Sequence, residues 1–407
     1  MKFKSFLNEQ KNTHMEHLED VVLNGGVEGT RFAIDYIRGV RDMLAGKSKR
    51  AFNITVKWDG APAIFCGTDP SDGKFFVAKK GIFNKNPKVY KTPADVDADT
   101  SGDLAVKLKT ALKYFADLGI KDVIQGDLLY TSDTVKHVEI DGEEYISFQP
   151  NTIVYTVPVN SKLAKQILRT KIGVVWHTVY RGESFETMKA TFGEDISSKL
   201  KNISTVWHTD ATFKDVTGAA TFTADETKQI TAILSQVGKL FNSIPAAVMN
   251  DISDNEELLL RVKTFNNTKI RAGEKITNPS QHVVGLMNYI HAYYQKDIDS
   301  KKTEAGKAKG KEKQKALLSY FTRHSKADIA KIFVLMNLLV DAKHMIVNKL
   351  NKVSALGTFL RTADGYRVTS PEGYVAIDHI GSAVKLIDRM EFSRANFSPD
   401  IIKGWQK

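Results

Sequence analysis

Lys57-Trp58-Asp59-Gly60 closes an apolar, β-prone run, Phe52-Asn53-Ile54-Thr55-Val56. A lysine at the end of such a run can be a nucleophile: its amine can attack the α-phosphate of a nucleoside triphosphate and form a covalent phosphoramidate. That chemistry sets further requirements. A free lysine has a pKa of about 10.4, so its neutral form costs roughly 4 kcal/mol at neutral pH, and nearby cations or a bound metal lower that cost. The triphosphate needs cations, a divalent metal needs carboxylates, and the base needs an aromatic platform.

Candidates for these roles follow in order along the chain. Ala78-Lys79-Lys80-Gly81 comes after the strand-like Phe75-Phe76-Val77, and Lys79 could bind ribose or phosphate; taken alone it reads as a charged hairpin end. Gln125-Gly126-Asp127-Leu128 puts one acid into an apolar run, where a carboxylate is costly unless paired or facing a site. Gly173-Val174-Val175-Trp176-His177 offers Trp176 either as an adenine-stacking platform or as a core residue. Pro371-Glu372-Gly373-Tyr374-Val375 places Glu372 at a turn entering a strand, where it reads equally as a metal ligand or as a solvated turn glutamate. Ala383-Val384-Lys385-Leu386-Ile387 embeds one lysine among apolar residues, where it wants an anionic partner such as a transferring phosphate.

Together these segments resemble the covalent nucleotidyltransferase superfamily of ATP-dependent DNA ligases, RNA ligases and mRNA capping enzymes, in a bacteriophage-type form. Lys57-Trp58-Asp59-Gly60 is similar to the nucleophile motif. Lys79 stands where the family has an arginine, and Asp127 where it has a glutamate. Arg181-Gly182-Glu183 resembles the same acidic motif but comes late in the chain. Residues 173–177 match the segment that supplies the stacking aromatic, and Glu372-Gly373-Tyr374-Val375 matches the Glu-Gly-x-Val motif. Lys385 fits the last motif, although Ile387 replaces its usual second lysine. The resemblance covers about 51–190 and 360–400.

It implies an ATP-dependent polynucleotide ligase that joins 5′-phosphate and 3′-hydroxyl ends through a lysyl-AMP intermediate. DNA nicks are preferred, with tolerance for RNA. ATP and Mg²⁺ are the implied cofactors. Lys57, Asp59 and Lys385 are the implied catalytic residues, with Asp59 orienting the lysine or a metal-bound water. Lys79, Asp127, Trp176, Glu372 and Lys385 would bind the nucleotide, and Asp127 and Glu372 the metal. Two rivals fit the same residues: an RNA ligase or GTP-dependent capping-type nucleotidyltransferase, and a catalytically silent nucleic-acid-binding protein on a degenerate scaffold.

The elements that must position these residues alternate in kind. Residues 1–50 read as helical, with a break at Asn24-Gly25-Gly26. Short β-branched runs at 61–66, 74–78, 122–124, 145–148, 152–157 and 173–180 surround one helix at 101–118. From about 222 to 355 helical spacing returns, opened by the capping-box pair Thr223 and Glu226. Strands reappear at 366–368 and 374–377, and 383–392 reads as part strand, part helix. This predicts an α+β fold: an antiparallel-sheet, ATP-grasp-like adenylation domain (51–195 plus 358–407), an N-terminal helical segment (1–50) and an inserted all-helical domain (196–357). About twenty residues follow Lys385, too few for the oligonucleotide-binding barrel that family DNA ligases carry.

Composition sets the outer limits. The 407-residue chain has a net charge of +11, which suits a nucleic-acid partner. Lys301, Lys302, Lys307, Lys309, Lys311 and Lys313 crowd one stretch of the insertion, with Gly306 and Gly310 keeping it flexible. Such a run suits phosphate contacts or a solvated linker equally. No apolar run reaches the ~18 residues of a membrane span. The single cysteine, Cys66, excludes an intrachain disulfide and reads as a core residue. The expectation is a cytoplasmic monomer, in the host cytoplasm if phage-encoded. Val175-Trp176-His177-Thr178 recurs as Val206-Trp207-His208-Thr209 in different surroundings and reads as coincidence.

Overall fold

The computed structural model describes residues 15–47, 52–213, 220–353, 356–378 and 382–406. The fold is mixed α+β, with largely antiparallel sheets. Helix α1 (Asp20–Leu44) opens the described chain and is kinked at Gly26, where the Asn-Gly-Gly break was expected. Then come β1 (Asn53–Lys57), β2 (Ala63–Thr68), β3 (Phe75–Ala78) and β4 (Val89–Tyr90). Helices α2 (Pro93–Asp99) and α3 (Gly102–Phe115) lead to β5 (Val123–Thr131), β6 (Lys136–Ile140), β7 (Glu143–Phe148) and β8 (Ile153–Pro158). Helix α4 (Lys162–Arg169) precedes β9 (Ile172–Arg181), β10 (Lys189–Phe192) and β11 (Val206–Asp210).

The helical stretch follows as α5 (Ala224–Asn242), α6 (Ala246–Ser253), α7 (Glu256–Arg271), α8 (Pro279–Ser300), α9 (Glu304–Leu318), α10 (Tyr320–Arg323) and α11 (Lys326–Leu350). The Thr223–Glu226 capping box forms as the sequence predicts: each side chain accepts from the other residue's backbone N–H and satisfies donors that the first turn leaves free. The chain closes with β12 (Gly357–Thr362), β13 (Gly365–Val368), β14 (Gly373–Ile377), β15 (Ala383–Leu386) and α12 (Arg389–Phe397).

Among the described residues the strands form three sheets: β1-β14-β15, β13-β12-β8-β7-β6, and a seven-stranded sheet ordered β10-β9-β5-β2-β3-β4 with β11 parallel to β9. Two expected boundaries move. The sheet continues beyond residue 196, because β11 pairs with β9 from Val206↔Ile172 to Asp210↔Trp176. The recurring Val-Trp-His-Thr segments are therefore neighbours in one sheet, offset along it. Past β11 the chain reaches β1, where Val56 N–H donates to Ala211 O at 2.7 Å and Phe213 N–H to Ile54 O at 2.7 Å. This segment ties the two sheets together just before the helices begin. The N-terminal helix is also no separate piece: Ile37 and Val40 of α1 share one core with Leu234, Val283 and Leu339 of the insertion and with Tyr374, Val384 and Leu386 of the small sheet.

A second core packs α3 (Leu108, Phe115) beneath the large sheet (Ile64, Ile124, Trp176), each buried side chain contributing about 1.5–3 kcal/mol. Cys66 lies in this core, fully buried as expected, and burial pushes its thiol well above its ordinary pKa. The segment expected to be flexible is instead a helix: Gly310 is buried in α9 against α8, where a Cβ would come within 2.7 Å of Ile298 Cγ1.

Candidate functional site

Lys57 is the last residue of β1 and pairs with Gly373, the first of β14. Gly373 has φ +142°, a conformation that side-chain-bearing residues avoid, and a Cβ there would sit 2.7 Å from Leu386 O. The glycine lets the chain turn into β14 so that the preceding residue, Glu372, stands beside Lys57. Lys57 Nζ donates to Glu372 Oε1; the lysine side chain is 28% exposed and the glutamate 2%. Glu372 Oε2 is buried with no hydrogen-bond partner among the described residues. On the far side of β14, Lys385 of β15 pairs with Val375.

The opposite wall comes from the large sheet. Beyond β1 the chain hugs β5: Ala61 N–H donates to Leu128 O at 2.9 Å, and Leu128 N–H returns a bond to Pro62 O at 3.1 Å. Gly60 is the contact point, where a Cβ would lie 2.5 Å from Asp127 Cβ. The glycine of the Lys-x-Asp-Gly segment thus allows β1 and β5 to approach. The result is a cleft of about 290 Å³ lined by Lys57, Lys80, Gln125, Asp127, His177 and Lys385 among others. His177 Nε2 lies 3.7 Å from Asp127 Oδ2. Tyr180, also in the lining, donates its hydroxyl to Gln125 Oε1 at 2.8 Å.

The electrostatics reverse one expectation. Burial works to lower the Lys57 pKa, but contact with Glu372, helped by Asp127 and Asp59, carries it above the ordinary lysine value. The amine therefore keeps its charge, because the carboxylates around it outweigh the cost of burying it. Burial raises Glu372 to about 7; Lys57 opposes that rise, while Asp59 and Asp127 add to it. Lys385 moves the other way: burial lowers it, with further lowering from Lys57 that Glu372 and Glu16 partly oppose.

Lys57, Asp127 and Lys385 therefore line one cleft, whereas four expected residues do not; Glu372, held against Lys57, lines a small neighbouring cavity instead. The Asp59 carboxylate is buried and accepts from Asn151 Nδ2 (2.6 Å), Thr152 N (2.7 Å) and Ile153 N (2.8 Å), so it anchors the β8 entry instead of orienting the lysine. Lys79 is tied to Asp99 at 2.9 Å, beside Tyr90, and its neighbour Lys80 lines the cleft in its place. Trp176 is fully buried in the core under the sheet, edge-on to Phe115 at 5.3 Å, and cannot stack on a base in the cleft. Strand alternation turns the next residue, His177, toward the cleft. His177 and Lys80 each sit one residue from the position read in the sequence; Gln125 and Tyr180 left no comparable signal.

Among the described residues no group of three or more His, Cys, Asp or Glu side chains is placed to hold a metal. Mg²⁺ is commonly held by one or two carboxylates plus phosphates; Asp127 offers one in the cleft, and the orphaned Oε2 of Glu372 offers an acceptor on the wall of the adjoining small cavity.

The lysine run lies apart. Lys301 pairs with Asp297 at 2.9 Å and Lys307 with Glu304 at 2.8 Å. Lys302, Lys309, Lys311 and Lys313 are exposed, and α9 packs on α8 and α10. None of the six lines the cleft.

No described helix is long and apolar enough to cross a membrane. No curated protein and no solved structure matches the chain. A family model does match, over residues 12–400, and the chain belongs to that family of unknown function (DUF6267).

Proposed function

We propose that the protein is an ATP-dependent polynucleotide ligase in which Lys57 carries AMP. The observation that supports this best is the Lys57–Glu372 pair, whose lysine lines one cleft of nucleotide-scale dimensions together with Lys385 and Asp127. In the first step Lys57 Nζ attacks the α-phosphorus of ATP. The new N–P bond replaces the P–O bond to pyrophosphate, and the amine's proton passes to Glu372. A 5′-phosphate oxygen of nucleic acid then attacks the same phosphorus; the N–P bond breaks, and the amine recovers a proton. A 3′-hydroxyl next attacks the activated 5′-phosphate, forming the phosphodiester bond and expelling AMP.

Burial lifts Glu372 to about 7, which makes it a better proton acceptor than a free carboxylate, while Lys57 is held above its ordinary value, so the transfer within the pair runs uphill. Lys385 and Lys80 would neutralise phosphate oxygens. His177, with Tyr180 and Gln125, would hold the base in place of Trp176. Mg²⁺, held by Asp127 and Glu372 through the bound phosphates, would offset the charge that develops on them.

The reading is tested by incubating the protein with α-labelled ATP or GTP and measuring label on denatured protein. ATP alone should label wild type and leave Lys57→Ala blank. Label from GTP alone would replace ligation with capping-type transfer. No label from either, with nucleic-acid binding intact, would leave a silent binding protein.

A further inference from the structure

A groove of about 640 Å³ opens between β13, α12 and the loop after α7. Lys275, Arg367 and Arg394 line it, all exposed, and none of their charged groups meets a carboxylate among the described residues. The anions facing the same space are Asp388, Glu391 and Asp400. Asp388 caps α12, accepting from Met390 N at 3.0 Å and Glu391 N at 3.1 Å, with His344 3.6 Å away. Glu391 accepts from the Thr369 hydroxyl at 3.4 Å. Two of the three carboxylates are thus engaged, and the cations are not. Beside the groove, at the end of α12, Phe397 is 61% exposed, with the Arg271 guanidinium 5.3 Å from its ring centroid. Free cations beside an exposed aromatic ring are what a phosphodiester strand with a stacking base requires.

The groove also leads toward the lysine. Leu360, Thr369, Asp388, Glu391 and Ala395 line both it and a small cavity of about 50 Å³ whose wall includes Glu372 and Phe392. The Phe392 ring centroid lies 6.0 Å from Lys57 Nζ. That cavity is far below the roughly 300 Å³ of a small-molecule pocket, so no nucleotide fits it, and an occupant of the groove would stay outside it.

We propose that this β13–α12 groove, and not the lysine run on α9, is where the flank of a nucleic-acid strand docks, a choice of occupant that rests on the ligase reading. The α9 lysines present charge on an exposed helix, and none of them lines the cleft or the small cavity beside Lys57.

The test compares Arg367→Glu/Arg394→Glu with Lys309→Glu/Lys313→Glu, using a fluorescein-labelled nicked DNA duplex in anisotropy titrations at several salt concentrations. The groove variant should bind at least tenfold more weakly, and its slope of log Kd against log salt should fall by about 2, as expected for two lost phosphate contacts. The α9 variant should change less than threefold. A neutral version, Arg367→Gln/Arg394→Gln, should show the same slope change. Groove variants that bind like wild type, or an α9 variant that loses as much, would overturn the proposal. Labelling by ATP is read in parallel and should persist in every variant. A wild type that takes no label while the groove variants still lose binding would sink the ligase reading and leave the surface standing.

Discussion

Lys57 Nζ donates to Glu372 Oε1 at the point where β1 and β14 begin to diverge, and the glutamate is the more deeply buried of the two. A fully exposed lysine would have no such partner. If Glu372 accepts the attacking amine's proton, Glu372→Gln should lower the rate of adenylyl-protein formation by about 10²–10⁴-fold, the usual value of a positioned base. Quench-flow labelling with α-labelled ATP measures it. A variant within threefold of wild type would remove Glu372 from the chemistry.

The same carboxyl links stability to pH. Burial raises it from 4.5 to about 7 in the folded state. Between those values the folded protein keeps a proton that the unfolded chain has released. The stability contribution is therefore full below about pH 4.5 and lost as pH climbs through about 7, by at most about 3 kcal/mol. Glu372→Gln should flatten that part of the profile in urea titrations at pH 5, 6, 7 and 8.

Trp176 and His177 should separate cleanly. Trp176→Ala should cost about 3–5 kcal/mol of stability, because it empties a filled core position against Phe115. His177→Ala should stay within about 1 kcal/mol of wild type in stability but weaken ATP binding. Thermal denaturation and calorimetric titration read the two effects. Unchanged ATP affinity in His177→Ala would take that ring out of the site.

A buried ion pair holds the N-terminal strap beside Lys385. Lys343, fully buried in α11, donates to both oxygens of Glu19 at 3.0 and 2.9 Å. Two residues earlier in the chain His17 bridges to Lys385, whose N–H donates to Glu16 O at 3.0 Å. Lys343→Met should destabilise by about 3–5 kcal/mol by stranding the Glu19 charge. Adding Glu19→Met should recover most of that loss, as followed by the urea midpoint. A double variant as unstable as the single one would show that packing, not the stranded charge, sets the cost.

By itself the sequence determined the alternation of sheet, helical stretch and sheet, the capped start of the insertion and the solitary core cysteine, because periodicity and cap chemistry act over a few residues. It also singled out Lys57, Asp127 and Lys385, charged residues in or closing apolar runs whose burial demands a partner, and Glu372 at the turn into a strand. Only the tertiary structure decided which way each neighbour faces. In β9 both faces are covered, so nothing in its apolar run distinguishes Trp176 from His177, and the pairing with β5 carries register shifts that no local pattern reveals. Asp59 and Lys79 found partners far along the chain or across a turn, at Thr152 and Asp99, and those contacts took them away from the cleft. The Lys57 amine is charged for the same reason: its carboxylate comes from 315 residues away, brought in by strand pairing that spacing along the chain does not encode.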